Sequence, residues 1–386
     1  MFFAVFLLIV GIIFGYPSWR LQSALPSLSW LWTTATVIVA LLPVALLAGL
    51  RTGHLPMRWH RPAAWVTWLG LGCAVVLFDV VLLRDLLWTI LLLVQHLTGI
   101  SLSPAESSTD WIRLSAGLCP AVALVLSGFS WYQAQRKPPV THLTVPIAKL
   151  PADLDGLRIV HITDLHVGPT IRLPFVESVV DAVNELHADL ICFTGDLADG
   201  TVADLAAQVA PLAQLSAPLG TWFCTGNHDY YWDAAAWMAK IEALGFHLLS
   251  NNHAVVTKGN ARLVIGGLPD PAGAQGLPSD RRHTADADAI FANAPEGPRL
   301  LLAHQPSVAV AAASTGACLT LSGHTHGGQI LPWSLLVRLQ QPIVAGLHRR
   351  AGNDGWIFVS RGVGYWGPPM RFGAPSQIAC LTLRAG

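Results

Sequence analysis

Five short histidine- and aspartate-bearing motifs stand in fixed order between His161 and His326, and each closes an apolar run. They read D-x-H at Asp164–His166, G-D at Gly195–Asp196, G-N-H-D at Gly226–Asp229, a lone His304 in L-A-H-Q-P, and G-H-x-H at Gly323–His326. A short apolar run that stops at such residues is a strand meeting a loop. Open α/β sheets gather functional side chains at the carboxyl ends of their strands. The pattern therefore predicts alternating strands and helices with five strand ends brought together. Imidazole nitrogen, carboxylate oxygen and amide oxygen in one place suit divalent cations of borderline hardness. Any one of these residues alone is better explained as a cap, a turn or a satisfied polar group; the ordered set is not.

The rest of this half fits the alternation. Strands are expected at Leu157–Ile162, Leu190–Phe193, Thr221–Cys224, Arg299–Leu302, Leu319–Leu321, Trp356–Ser360 and Ile378–Leu383. Shorter ones fall near His247–Leu249, Ala254–Lys258 and Arg262–Gly266. Helices are expected at Leu173–Leu186, Val202–Leu215, Ala234–Leu244 and Asp286–Asn293. Gly195, Gly226 and Gly323 are expected to let the backbone turn sharply beside the ligand residues.

The front of the chain is different in kind. Residues 2–16, 30–50, 63–83 (continuing toward Thr98) and 111–132 are apolar runs. They are read as four transmembrane helices, the first a retained anchor because it lacks a basic leader and a clear cleavage site. The 386 residues then divide into a membrane domain at 1–135, a proline-rich extended linker at 136–150, and an α/β domain at 151–386. Arg51, Arg58, Arg61, Arg136 and Lys137 flank one side of the spans; Glu106 and Asp110 lie on the other. The bias of Lys and Arg predicts that both termini and the α/β domain are cytoplasmic. Asp79 is expected to face other helices, and Arg84 to lie at an interface. Formal net charge is zero, which gives no basic field for nucleic acid. The six scattered cysteines lack a C-x-x-C pair and are read as free buried thiols.

The order D-x-H, G-D, G-N-H-[DE], H, G-H-x-H resembles the calcineurin-like metallophosphoesterase superfamily over about Leu157–Leu383, and the apolar front resembles its membrane-anchored bacterial branch. That resemblance implies a two-sheet β-sandwich flanked by helices, in α/β/β/α layers. It implies two divalent metal ions (Mn, Fe or Zn), one held by Asp164, His166, Asp196 and His326, the other by Asp196, Asn227, His304 and His324. Hydrolysis of a phosphate ester or pyrophosphate by metal-activated hydroxide would follow. His228 is then expected to serve the leaving oxygen, with Asp229 orienting its ring, and Arg361 to reach a substrate phosphate. The membrane runs suggest a lipid-borne phosphate, with soluble nucleotides and phosphoproteins as alternatives. A metal-binding sensor without turnover and a nucleic-acid phosphodiesterase are the competing functions. Trp333, Leu335, Leu336, Val337 and Leu339 form an apolar stretch that is either a lipid-contacting rim or an ordinary buried element.

Overall fold

Strands and helices are described here from a computed structural model, which covers residues 2–51, 57–100, 108–276, 280, 283–350 and 354–386. The chain divides into a helical unit, Met1–Tyr132 with Gly367–Met370, and an α/β unit, Gln133–Trp366 with Arg371–Gly386.

The helical segments are α1 (Phe2–Ala24), α2 (Ser29–Arg51), α3 (Met57–Thr98) and α4 (Ser108–Gln135). All four expected spans are thus helical. Among the described residues, only Trp59–Thr98 and Thr109–Gln135 are long and apolar enough to cross a membrane. Two of the four expected spans thus stand as candidate membrane helices among the described residues. Helix α3 runs unbroken through Arg84–Asp85 for 42 residues. At 1.5 Å per residue it is about 63 Å long, roughly twice the hydrocarbon thickness of a bilayer.

Arg84 is buried against other helices. Asp85 accepts hydrogen bonds from Tyr16 Oη at 2.7 Å, Arg20 Nε at 2.6 Å and Arg84 Nη1 at 2.6 Å. Arg84 also donates to Ser115 Oγ at 3.0 Å and the Ile112 carbonyl at 2.8 Å. Partners for each group explain how two arginines and a carboxylate are tolerated among apolar helices. Glu106 lies outside the described residues, as do the side chains of Arg51 and Arg58.

The α/β unit holds two six-stranded mixed sheets. The strands are β1 (Val140–Ile147), β2 (Arg158–Ile162), β3 (Leu190–Thr194), β4 (Thr221–Cys224), β5 (His247–Leu248), β6 (Asn252–Lys258), β7 (Ala261–Gly267), β8 (Arg299–Leu302), β9 (Leu319–Ser322), β10 (Gly346–Arg349), β11 (Trp356–Val359) and β12 (Ile378–Ala385). One sheet runs β1-β12-β2-β3-β4-β5, the other β10-β11-β9-β8-β7-β6. Neighbours β2 to β5 are parallel, as are β7, β8, β9 and β11. The helices are α5 (Leu173–Asn184), α6 (Val202–Val209), α7 (His228–Tyr231), α8 (Ala234–Ala243), α9 (Gly273–Gly276), α10 (Pro306–Ala311) and α11 (Ser334–Val337).

Alternation along the strands builds the layers. Ile159, Leu190 and Cys192 meet Leu263, Leu302, Leu321 and Phe358 between the sheets. Val160, Ile162, Ile191 and Phe193 face outward onto Val176, Val180, Leu205 and Ile241 of α5, α6 and α8. Val264, Leu301, Ile357 and Val359 face the other way, onto Ala309 of α10 and Ile290. The order is helix, sheet, sheet, helix.

Two sequence expectations fail locally. The segment read as a linker contains β1, an edge strand parallel to β12 from Val140↔Ile378 to Ile147↔Ala385. Its prolines mislead because an edge strand tolerates a missing N–H. Asp286–Asn293 forms turns instead of a helix. The Asp286 carboxylate accepts the N–H groups of Asp288 and Ala289 at 3.1 and 3.2 Å, a local bonding pattern that competes with the helix. All six cysteines are free, and Cys119, Cys192, Cys224 and Cys380 are buried.

Candidate metal centre

The carboxyl ends of β2, β3 and β4 in one sheet, and of β8 and β9 in the other, carry all five motifs. Backbone bonds lock their loops together. Asp164 N–H donates to Gly195 O at 3.0 Å, His166 N–H to Asp196 O at 3.1 Å, and Gly323 N–H to His304 O at 2.9 Å. Val167 and Ala198 form an isolated parallel bridge just beyond β2 and β3.

The seven residues expected as ligands converge. His166 Nε2 lies 3.1 Å from His326 Nε2 and 3.6 Å from Asp196 Oδ2. His326 Nε2 lies 3.6 Å from Asp164 Oδ1. On the other side, His304 Nε2 is 3.3 Å from Asp196 Oδ2 and 3.2 Å from Asn227 Oδ1, and His324 Nδ1 is 3.0 Å from Asn227 Oδ1. Asp164, His166 and His326 form one group able to hold a cation, and Asp196, His304 and His324 another; His166, Asp196 and His228 form a third. The spacings test the fit. Two ligand atoms each about 2.1 Å from one cation, at roughly tetrahedral or octahedral angles, stand about 3.0–3.4 Å apart. The two imidazole nitrogens of His166 and His326 face each other at 3.1 Å, a separation that one cation could span once His326 Nε2 gives up its proton.

The backbone is strained where these side chains leave it. Asp164, His166, Asp196, His324 and His326 have φ of 56°, 50°, 57°, 70° and 51°. Left-handed conformations at such residues are costly and cluster at functional sites. The glycines act differently from the expectation. Gly195 does have a positive φ of 80°, but Gly226 and Gly323 are not among the positive-φ residues. They are required for space: a Cβ on Gly226 would lie 2.2 Å from Asp196 Oδ1, and one on Gly323 would lie 2.3 Å from Asp164 Oδ2.

Surrounding groups fix the rings. His304 Nδ1 meets the Thr194 carbonyl at 2.6 Å, so it carries the proton and Nε2 presents its lone pair inward. His166 Nδ1 meets Asp199 Oδ2 at 3.1 Å to the same effect. The other oxygen of Asp199 is 2.5 Å from His228 Nδ1. Burial raises the Asp199 carboxyl, yet the imidazoles of His166 and His228 prevail and hold it below the usual carboxylate range. Asp229 therefore does not orient the His228 ring. Its carboxylate accepts the N–H groups of Asp196 and Leu197 at 3.0 Å each and of Gly226 at 2.7 Å, tying the second motif to the third. Burial, then the charge of Asp196, pushes Asp229 up to about 6.

His228 sits at the mouth of the centre, its backbone N–H donating to Asp196 Oδ1 at 2.9 Å and its ring 4.7 Å from that of His166. The stem of Arg361 covers Gly327, where a Cβ would lie 2.8 Å from Arg361 Cγ, and its Nε is buried without a partner among the described residues. Sequence reasoning missed two residues. Asp199 lies three positions after Asp196, and the Val167–Ala198 bridge is what carries it to His166. Arg371 is fully buried and donates to the His326 carbonyl at 2.8 Å, to His326 Nδ1 at 3.0 Å, and to the carbonyls of Gly364 and Ala374. No motif marks it.

The chain matches the family described as Calcineurin-like phosphoesterase over residues 157–328. It is 36% identical to a transmembrane protein with metallophosphoesterase domain from Danio rerio, across 68% of this chain and 61% of that one. It is 34% identical to an uncharacterized metallophosphoesterase of Helicobacter pylori, across 67% of this chain and 68% of the relative. An uncharacterized metallophosphoesterase of Bacillus subtilis is 30% identical across 72% of this chain and 98% of its own length. The chain thus spans less than two thirds of the fish protein. On the family match and these identities, this chain belongs to the calcineurin-like metallophosphoesterases.

Proposed function

We propose that this chain is a membrane-anchored phosphoesterase that uses two divalent metal ions to hydrolyse a phosphate ester or pyrophosphate. The observation that carries the reading is the convergence of seven donors around Asp196, whose Oδ2 lies 3.6 Å from His166 Nε2 on one side and 3.3 Å from His304 Nε2 on the other. Asp164, His166, Asp196 and His326 would hold one ion, and Asp196, Asn227, His304 and His324 the other. The donor set accepts Mn, Fe or Zn. When bound, such a pair supplies a nucleophile from water near neutral pH and screens the charge of the phosphate.

The chain's own groups do the rest. Asp199 holds the proton on His228 Nδ1, so the doubly protonated ring would deliver its second proton, on Nε2, to the leaving oxygen. Arg361, beside the turn that follows His326, is placed to pair with a phosphate oxygen. Asp229 keeps the loops of Asp196 and Asn227 in register through its three backbone bonds.

The apolar helices and the name of the fish relative support a membrane protein. Arg61, Arg136 and Lys137 support a cytoplasmic α/β unit. The test is a metal-reconstituted assay of the full chain against aryl, nucleotide and phospholipid esters, with and without chelator. Chelator-sensitive turnover of at least one class is expected; none with metal bound would favour a sensor. In intact cells lacking the exposed native thiols, Asp110→Cys should react with an impermeant reagent and Glu296→Cys should not. The reverse pattern would invert the topology.

A further inference from the structure

Just beyond the last histidine, the chain turns from the metal centre to an apolar surface. The backbone of Ser334 occupies the space that a Cβ on Gly328 would need, 2.4 Å away, so α11 is anchored against the ligand turn. Gln329 joins this segment to Trp366: Trp366 N–H donates to Gln329 Oε1 and Gln329 Nε2 donates to the Trp366 carbonyl, both at 3.0 Å. The Trp366 ring lies 5.6 Å from that of His228, and the Tyr231 ring 4.9 Å from it on another side. Near them in the chain stand the exposed Leu331, Leu335, Leu336 and Leu339, the last 80% exposed. Of the nine exposed large apolar side chains described in the α/β unit, these six belong to this one surface. Single exposed leucines are ordinary; a contiguous set leading to a reaction centre calls for a covering partner.

We infer that this ridge beds into the headgroup and upper acyl region of a lipid bilayer and brings a lipid-borne phosphoester to the metal centre. The inference rests on the reading of the chain as a membrane-anchored phosphoesterase and names its substrate class. Three observations choose lipid as the occupant. The same chain carries helices long and apolar enough to cross a bilayer. Only residues 136–139 separate α4 from β1, so a bilayer holding α4 is tethered to this unit. Arg338 is exposed amid the leucines, the arrangement that sets apolar stems in the membrane and a cation among anionic headgroups. The ridge also begins at His228, the group that serves the leaving oxygen. The apolar body of a leaving alcohol would therefore lie along it, while the phosphate faces the ligands.

The test uses the full chain in phosphatidylcholine–phosphatidylglycerol vesicles. An environment-sensitive fluorophore is attached at Leu339→Cys in a Cys73→Ala, Cys318→Ala background, with Glu296→Cys as the comparison. Emission at 339 should shift to the blue and be quenched by lipids carrying a nitroxide near the headgroup, and emission at 296 should not. Equal, water-like emission at both positions overturns the inference. A second arm compares hydrolysis of vesicle-borne phosphatidate with that of p-nitrophenyl phosphate. Leu335→Gln with Leu339→Gln should lower the ratio of the two rates about tenfold, the scale set by two leucines that no longer leave water. An unchanged ratio also overturns it. Quenching at 339 with no hydrolysis of either ester would retain the lipid contact and remove the phosphoesterase reading instead. A chain that fails to float with the vesicles removes the anchor.

Discussion

Asp199 Oδ1 stands 2.5 Å from His228 Nδ1, while the second oxygen of the same carboxylate stands 3.1 Å from Nδ1 of His166. One side chain thus sets the ring of a proposed metal ligand and the ring of the proposed acid. The two imidazoles are 4.7 Å apart, so any shift of Asp199 moves both.

Asp199→Asn should therefore cost more than metal affinity. Loss of an outer partner to a ligating histidine lowers affinity about 10–100-fold. With metal restored to saturation, a further rate loss of about 10²–10⁴ should persist through His228. In a double-mutant cycle with His228→Gln, the two rate effects should fail to add. Full additivity would separate Asp199 from the acid.

His228→Gln should retain metal and lose rate by about 10²–10⁴ on esters with poor leaving groups. The loss should shrink for p-nitrophenyl esters, whose leaving oxygen needs little protonation. An equal loss on both would assign His228 a role in placement or charge alone.

Arg371 holds three carbonyls and His326 Nδ1 from a fully buried position. Each carbonyl left without a donor costs about 1–3 kcal/mol. Arg371→Met should lower the thermal midpoint of the full chain in detergent by several degrees, and Arg371→Lys should not restore it, because an ammonium cannot reproduce the planar fork. A midpoint unchanged in Arg371→Met would show that these bonds do not secure the turn.

His161 is buried between the sheets, with Nε2 2.8 Å from Thr194 Oγ1. Burial, then the neighbouring His304, lowers it from 6.5 to about 3. Between those values the unfolded chain binds a proton that the folded one refuses. Stability contributed by neutral His161 is therefore complete above pH 6.5 and lost as pH falls, by up to about 1.4 kcal/mol per unit. His161→Gln should flatten the decline of unfolding free energy between pH 6.5 and 4.5. An identical slope in both proteins would contradict this.

The ligand set was legible because each residue ends a strand, and a parallel sheet can only deliver such ends to one edge. The strands themselves were legible from their runs, β2, β3 and β4 most plainly. What was not legible depends on contacts that have no local signature. Arg371 reaches His326 across 45 positions. The role given to Asp229 fell to Asp199 because the Val167–Ala198 bridge, and not sequence adjacency, decides which carboxylate meets the His228 ring. Strand β1 was hidden by its prolines; the helix continuing toward Thr98 was legible, but not that Tyr16, Arg20 and Ser115 satisfy Arg84–Asp85 from other helices.

The central claim is a pair of metal ions that share Asp196. Elemental analysis of the purified full chain, loaded with Mn and then stripped of loosely held ions, measures it directly when set beside Asp196→Asn. The account predicts two ions per wild-type chain, with most of the metal and nearly all aryl-phosphate turnover lost in Asp196→Asn while the protein remains folded by circular dichroism. Two ions retained in Asp196→Asn, or full turnover in a wild-type chain holding fewer than one, would contradict it.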